Sequence, residues 1–274
     1  MENQMNYSSR LRRKVVLCLL ILTFATIGFS QSPTSPADNE YQVGAILWTQ
    51  SSGEKAALSY QAFALARMVL DLDLRTNRNR RMRRAVIVDV DETVLDNSPY
   101  QAMLIKTRQN YGSKTWGEWC NRAAATPLPG AVEFLRYASA RGVKVFYITN
   151  RKETEKEGTV RNLKKVGFPD VSDETLLVRT GESAKEPRRL SVAGKHRVVL
   201  LIGDNLNDFA EVFENSKTTE SRMAATEQNR TLFGARFIVL PNPMYGNWED
   251  AIYGDASKLT EEQKAAKRKA ALKD

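Results

Sequence analysis

The chain has 274 residues, with 41 basic and 32 acidic side chains, two cysteines and one histidine, for a formal charge of +9. That length suits one domain with an insertion or at most two small ones, and 42% apolar with 27% charged residues is ordinary globular composition. So few histidines and cysteines exclude a normal zinc site, the Arg-His-Gly pattern of histidine phosphatases (Lys195 precedes His196 and Arg197 follows) and a cysteine-phosphatase loop, where Thr126 stands in place of arginine. Any hydrolysis must run on carboxylates, lysine, serine or a hard metal ion.

Residues 1–30 read as an export signal outside the fold. Arg10, Arg12, Arg13 and Lys14 form a basic n-region, Val15 to Phe29 is an almost unbroken apolar run, and Gly28 and Ser30 suit a signal peptidase. Fifteen residues fall short of the roughly twenty that span a bilayer. The expected address is therefore a bacterial periplasm or cell surface, with no stable membrane span after cleavage. Cys18 lies inside the apolar run after Leu17, a poor lipobox, so no lipid anchor is expected. Cleavage leaves Cys120 alone and hence no intramolecular disulfide.

The mature chain opens with an extended lead-in over residues 31–40. Ser51 and Ser52 then cap a helix predicted over 54–72, with Leu58, Ala62, Leu65 and Val69 on its apolar face. Six arginines between Arg75 and Arg84 precede the run Ala85–Val90, which reads as a strand buried on both faces of a parallel sheet. Further strands are predicted over 143–148, 175–178, 198–202 and 237–240, with helices over 129–142, 153–166 and 205–216. Strand-helix alternation implies an α/β fold, a Rossmann-like parallel sheet flanked by helices, with its site at the strands' carboxyl ends. About fifty residues separate the first two strands, where a dozen make a minimal crossover. The excess, 98–127, is read as a small, mostly helical cap inserted between the first two motifs. It carries Tyr100, Tyr111, Trp116 and Trp119.

Four features follow four predicted strands: Asp89 and Asp91; Thr149-Asn150-Arg151; Lys185; and Asp204 with Asp208. Each alone is bland, since an Asp-x-Asp pair is usually a solvated turn. Acid pair, hydroxyl, lysine and acid pair in that order would converge on one crevice.

Asp89-Val-Asp91-Glu92-Thr93-Val-Leu-Asp96-Asn97, Lys114-Thr-Trp116-Gly-Glu-Trp119, Pro129-Gly-Ala-Val-Glu-Phe134, Thr149-Asn-Arg151, Gly203-Asp-Asn-Leu-Asn-Asp-Phe209 and Tyr245-Gly-Asn-Trp248-Glu249 resemble class C bacterial acid phosphatases of the haloacid dehalogenase superfamily. That family includes outer-membrane lipoprotein 5′-nucleotidases. The likeness extends over about residues 41–250 and implies a domain spanning 31–257. It implies Asp89 as nucleophile, Asp91 as general acid and then base, and Lys185 and Thr149 as partners of the transferred phosphoryl group. It also implies Mg2+ or another hard divalent cation at Asp89, Asp91 (through its backbone region), Asp204 and Asp208, an all-oxygen set that suits magnesium. An unperturbed aspartate titrates near 4, so an acid role for Asp91 implies an acidic pH optimum.

The expected partners are small phosphate monoesters, contacted by Asn150 and Arg151. Tyr111, Trp116, Trp119 and Tyr245 would stack a planar leaving group such as a nucleoside, the alternative being that they fill a small cap core. Phosphoryl transfer to an alcohol, broad non-nucleotide hydrolysis, noncatalytic binding and dehalogenation are the rival readings. A nucleic-acid polymer is not expected. Four cations against one anion in 1–30, and six against three in 258–274, leave only +3 for 31–257. The basic tail 258–274, with a capping box at Thr260 and Gln263, reads as a solvated helix. His196 is expected at the surface, and a homo-oligomer is compatible with the sequence.

Overall fold

The computed structural model describes residues 39–76 and 82–274. The signal segment, most of the lead-in, and Arg78, Arg80 and Arg81 lie outside the described residues. In chain order the helices are α1 (Val43–Ser51), α2 (Gly53–Thr76), α3 (Ser98–Thr107), α4 (Ser113–Arg122), α5 (Ala131–Ala140), α6 (Glu153–Val166), α7 (Glu186–Ala193), α8 (Glu211–Asn215), α9 (Thr219–Gln228), α10 (Asn247–Tyr253) and α11 (Glu261–Ala270). The strands are β1 (Arg84–Val88), β2 (Leu95–Asp96), β3 (Thr126–Pro127), β4 (Lys144–Lys152), β5 (Leu176–Arg179), β6 (Arg197–Gly203) and β7 (Phe237–Val239).

The main sheet runs β5-β4-β1-β6-β7 with every pairing parallel. β1 lies at the centre, with Val88 opposite Tyr147 of β4 and Ile202 of β6. The chain builds β4 and β5 on one side of β1, then returns to build β6 and β7 on the other. That reversal opens a crevice beyond the carboxyl ends of β1, β4 and β6.

The apolar runs are continuous because helices cover both faces, and side chains alternate between them. Val86 and Val88 join Val145, Tyr147, Leu200 and Ile202 against Phe63, Ala66 and Leu70 of α2 and Phe134 and Leu135 of α5. Ala85 and Ile87 join Phe146, Ile148, Leu201 and Phe237 against Val192, Phe213 and Ala225 on the other face.

Three expectations need correction. The buried stripe of α2 runs Lys55, Ser59, Ala62, Phe63, Ala66, Leu70, Asp73, and Leu58 is 40% exposed. Polar residues hold three of its seven positions, and tertiary partners meet two of them: Ser59 Oγ donates to the Pro129 carbonyl at 2.8 Å, and Asp73 accepts from Arg84 Nε at 2.6 Å and from Arg197. The predicted helix 205–216 is a short 3-10 turn over Leu206–Asp208 followed by α8. Asn205 N donates to Asp208 Oδ2 at 3.0 Å and Asn207 N to Asn205 Oδ1 at 3.1 Å, a capping box on this single turn, and the backbone is extended at Ala210 before α8 begins. His196 is half-buried rather than at the surface, its ring edge-on to Phe146 at 5.0 Å.

Between β1 and β4, the two-residue antiparallel ladder β2–β3 pairs Leu95 with Pro127. α3 and α4 sit between its two strands and share a small core of Tyr100, Leu104, Trp116 and Cys120. Burial pushes the Cys120 thiol up to about 12, which leaves it unreactive. The tail helix α11 does carry the Thr260–Gln263 capping box. It is not merely solvated, because Arg268 docks on Tyr41 and Tyr253.

Candidate active site

Asp89 follows the last residue of β1, and the chain then turns sharply. Val94 N and Leu95 N both donate to the Val90 carbonyl, at 3.1 and 2.9 Å. Glu92 takes a left-handed φ of 55° at this turn, a conformation costly for a residue with a Cβ. Its buried carboxylate holds it there, accepting from Asn97 N at 2.8 Å and from the Tyr245 hydroxyl. Burial first, then the nearby Asp91 and Asp204, keep the Glu92 carboxyl well above its usual range.

Lys185 sits at the N-terminus of α7, where Pro187 suits the first turn. The carboxylate of Glu214 accepts from Lys185 N at 2.8 Å and from Arg189 Nη2 at 2.8 Å, fixing that turn. Lys185 Nζ then reaches Asp89 Oδ1 and, at 2.6 Å, Asp208 Oδ1. All three side chains are buried. Burial lowers the lysine pKa, but the charges of Asp208 and Asp89 more than reverse this, so its pKa is raised and it stays protonated.

Asp204 follows β6 and accepts from Thr93 Oγ1 at 3.1 Å and Asn242 Nδ2 at 2.9 Å. Gly203 precedes it because a Cβ there would overlap the Asp208 carboxyl group. Carboxylate oxygens of Asp89, Asp204 and Asp208 lie within 4.8 Å of one another. Burial lifts the Asp89 pKa, Lys185 opposes, and the Asp208, Asp204 and Asp91 carboxylates lift it further, well above the usual range. Burial and Asp208 push Asp204 up to about 7, against Asn242, Lys185 and Thr93. Three clustered carboxyl groups, of which Asp89 and Asp208 are buried and Asp204 half-buried, against one lysine leave an excess of negative charge. The donor set is all oxygen, so these residues fit a hard divalent cation.

The carboxylate of Asp91 lies outside that group. It accepts from Arg151 Nε at 2.9 Å and Nη2 at 2.7 Å, from Asn97 Nδ2 at 2.9 Å, and from Thr149 Oγ1 at 3.3 Å. Arg151 is 2% exposed and is held further by Thr159 and Asn97 at 3.0 and 3.2 Å. Asn150 is exposed at the rim and accepts from Arg188 Nη2 at 2.6 Å.

One cavity of about 640 Å³ contains Asp89, Asp91, Lys185, Asp204 and Asp208 and reaches Asn150, Arg151, Tyr111, Trp116 and Tyr245. Tyr111 is 60% exposed, whereas Trp116 is 8% exposed and packs edge-on to Tyr100 at 5.1 Å. Trp119 does not line the cavity. It packs against both the cap core and the main core, and its Nε1 donates to Asn97 Oδ1 at 2.8 Å. Thr149 is fully buried.

A family model for the HAD superfamily, subfamily IIIB (acid phosphatase), matches residues 12–248. The chain belongs to that family. The class C acid phosphatase of Bacillus anthracis, solved with tungstate bound, is 40% identical with a TM-score of 0.82, covering 86% of this chain and 98% of its own. A second structure of the Bacillus anthracis class C acid phosphatase is 39% identical at the same TM-score and coverage. Among curated proteins, the stem 31 kDa glycoprotein of Glycine max is 27% identical over 165 residues, and acid phosphatase 1 of Solanum lycopersicum 25% over 166. The match spans 58% and 57% of those two relatives' lengths.

Several site residues carry no assigned role in the sequence pattern, although Asn97 closes the first motif. Arg188 donates to the Thr149 carbonyl and to Asn150, both at 2.6 Å, tying β4 to α7. Its only signal was a place in the Lys185-Glu-Pro-Arg-Arg segment. Asn97 bridges Asp91, Arg151 and Trp119. Lys55 is 7% exposed and its Nζ makes no hydrogen bond among the described residues. Burial pushes its pKa down, and the charges of Asp96, Glu92 and Asp204 oppose that shift.

Proposed function

We propose that the chain is an exported, metal-dependent acid phosphatase that hydrolyses phosphate monoesters, 5′-nucleotides among them, through an aspartyl-phosphate on Asp89. The observation that carries this reading is the buried Lys185 joining Asp89 to Asp208 beside Asp204, at the carboxyl ends of the central strands. The tungstate bound by the Bacillus anthracis relative is a tetrahedral oxyanion, which supports the reading that this chain binds a phosphoryl group.

A phosphate monoester carries two negative charges and repels an anionic nucleophile. A divalent cation such as Mg2+, held by Asp89, Asp204 and Asp208, supplies positive charge that keeps Asp89 ionised and screens the ester. Lys185 adds a fixed positive charge. Two unit charges about 4 Å apart at an effective dielectric of 20 interact by about 4 kcal/mol, enough for a thousandfold in rate. Asp89 forms its bond to phosphorus as the ester oxygen departs, and Asp91 gives that oxygen a proton. Water then attacks the acyl phosphate, Asp91 takes the water's proton, and Asp89 is released with inorganic phosphate. Arg151 and Asn97 hold the Asp91 carboxylate, so its direction is set before substrate enters.

Tyr111 and Tyr245 line the same cavity as Asp89, where a planar leaving group can stack. Export rests on the apolar leader; among the described residues no helix is long and apolar enough to cross a membrane. The decisive test is Asp89→Asn assayed on p-nitrophenyl phosphate with Mg2+. Turnover should fall by at least about 10³-fold. Near-normal turnover would end the covalent mechanism.

A further inference from the structure

α11 contributes no buried residue. It spans ten residues, Glu261–Ala270, whereas isolated helices shorter than about 12–15 residues are marginal in water. Its order therefore depends on docking, and the docking runs through Arg268. The guanidinium lies 3.6 Å from the centroid of the Tyr41 ring and donates to the Tyr253 hydroxyl at 2.7 Å. Both hydroxyls in turn donate to the buried Glu249, Tyr41 at 2.7 Å. Residues from both ends of the described chain are thus tied to one carboxylate.

The consequence falls on the cleft. Tyr41, Glu249, Tyr253, Glu261 and Lys264 line the same cavity as Asp89 and Lys185. Lys264 pairs with Glu261 at 3.0 Å, and their side chains are only 23% and 30% exposed. A phosphoryl group fills only a fraction of about 640 Å³, so the remainder must be met by the leaving group. The family match ends at residue 248, short of this wall.

We propose that α11, pinned by Arg268 to Tyr41, forms the outer wall of the leaving-group end of the cleft and selects large, polar leaving groups over small ones. The inference rests on the phosphatase reading and assigns a specificity role to a segment beyond the catalytic motifs. Arg268 is a positioning residue: it acts through Tyr41 and the placement of Lys264.

The test compares the full-length chain with its Arg268→Ala and Lys264→Ala variants on phenyl phosphate and on a nucleoside 5′-monophosphate, with saturating Mg2+. Arg268→Ala should raise KM for the nucleotide about three- to tenfold, the range of a lost cation–π contact. KM for phenyl phosphate, and kcat for both esters, should hold within about twofold of the unaltered chain, as the wall touches no reacting atom. Lys264→Ala should shift nucleotide KM in the same direction. Unchanged nucleotide KM in both variants would overturn the proposal, and so would an equal rise for both esters, which marks a general structural role. Hydrolysis of neither ester by the unaltered chain would overturn the phosphatase reading and this inference with it.

Discussion

Lys185 and Asp89 form an ion pair in which each side chain is only 7% exposed, so neither charge has water to fall back on. They lie 96 residues apart in sequence and meet because β1 and the start of α7 open into the same crevice. Removing Lys185 strips Asp89 and Asp208 of their shared cation, whereas without Asp89 the lysine still pairs with Asp208. Lys185→Met should lower kcat by about 10²–10³-fold, in line with removing one preorganised positive donor. It should also destabilise the fold by about 3–5 kcal/mol through the stranded Asp89 and Asp208. Steady-state kinetics and urea unfolding separate the two effects. Retained kcat would remove Lys185 from the mechanism.

The metal requirement should depend on pH. Asp204 is pushed up to about 7 by burial and Asp208, so below that pH a proton competes with the cation. Half-saturating Mg2+ should rise up to about tenfold per pH unit as pH falls below 7. The sign for stability is opposite. A carboxyl whose folded pKa lies above its unfolded value binds more protons when folded. In EDTA the protein should therefore lose stability as pH rises from about 4 to about 7, and Mg2+ should restore it at pH 8. Thermal melts with and without EDTA over that range check this, and a Mg2+ requirement that is flat from pH 5 to 7 would refute it.

The two cap aromatics on the cleft should separate by role. Tyr111, 60% exposed, can be truncated with little structural loss. Tyr111→Ala should raise nucleotide KM by about five- to tenfold, the lower part of the range for one stacked base. The melting temperature should hold. Trp116 also fills the cap core, so Trp116→Ala should cost about 3 kcal/mol of stability as well. Unaltered nucleotide KM in Tyr111→Ala would place stacking elsewhere.

A prediction away from the site concerns Asp73, which accepts from Arg84 on β1 and Arg197 on β6. Burial pushes its pKa up, but the two arginines outweigh burial and hold it below the usual range. Its stabilising effect is therefore present above about pH 4 and lost as pH falls through the lower folded value. Asp73→Asn should cost about 3 kcal/mol at neutral pH, and the gap from the unaltered chain should close in acid. Urea unfolding at pH 7 and pH 3 tests this, and an equal difference at both would refute it.

Strand identity was legible in the sequence because a parallel strand covered on both faces reads as a bare apolar run, and its carboxyl end is where charge reappears. Asp89, Thr149 and Asp204 stand at such transitions, after Val88, Ile148 and Gly203. Helix faces were harder. On α2 the buried positions include Lys55, Ser59 and Asp73, polar residues that local periodicity assigns to solvent. Partners from distant segments, Pro129 for Ser59 and Arg84 and Arg197 for Asp73, offset the burial of two of them.

One histidine and two cysteines already restrict any hydrolysis to carboxylates, lysine, serine or a hard metal ion. The order of the four motifs already places them at one crevice, because short-range patterning sets strands and parallel strands share an end. Tertiary structure alone decides that Asp91 turns to Arg151 rather than to the acidic cluster. It also decides that Trp119 packs away from the cleft, and that Arg268 of the basic tail docks on Tyr41. Those outcomes depend on side chains from segments tens to hundreds of residues apart competing for the same donor or ring. No local pattern records who wins.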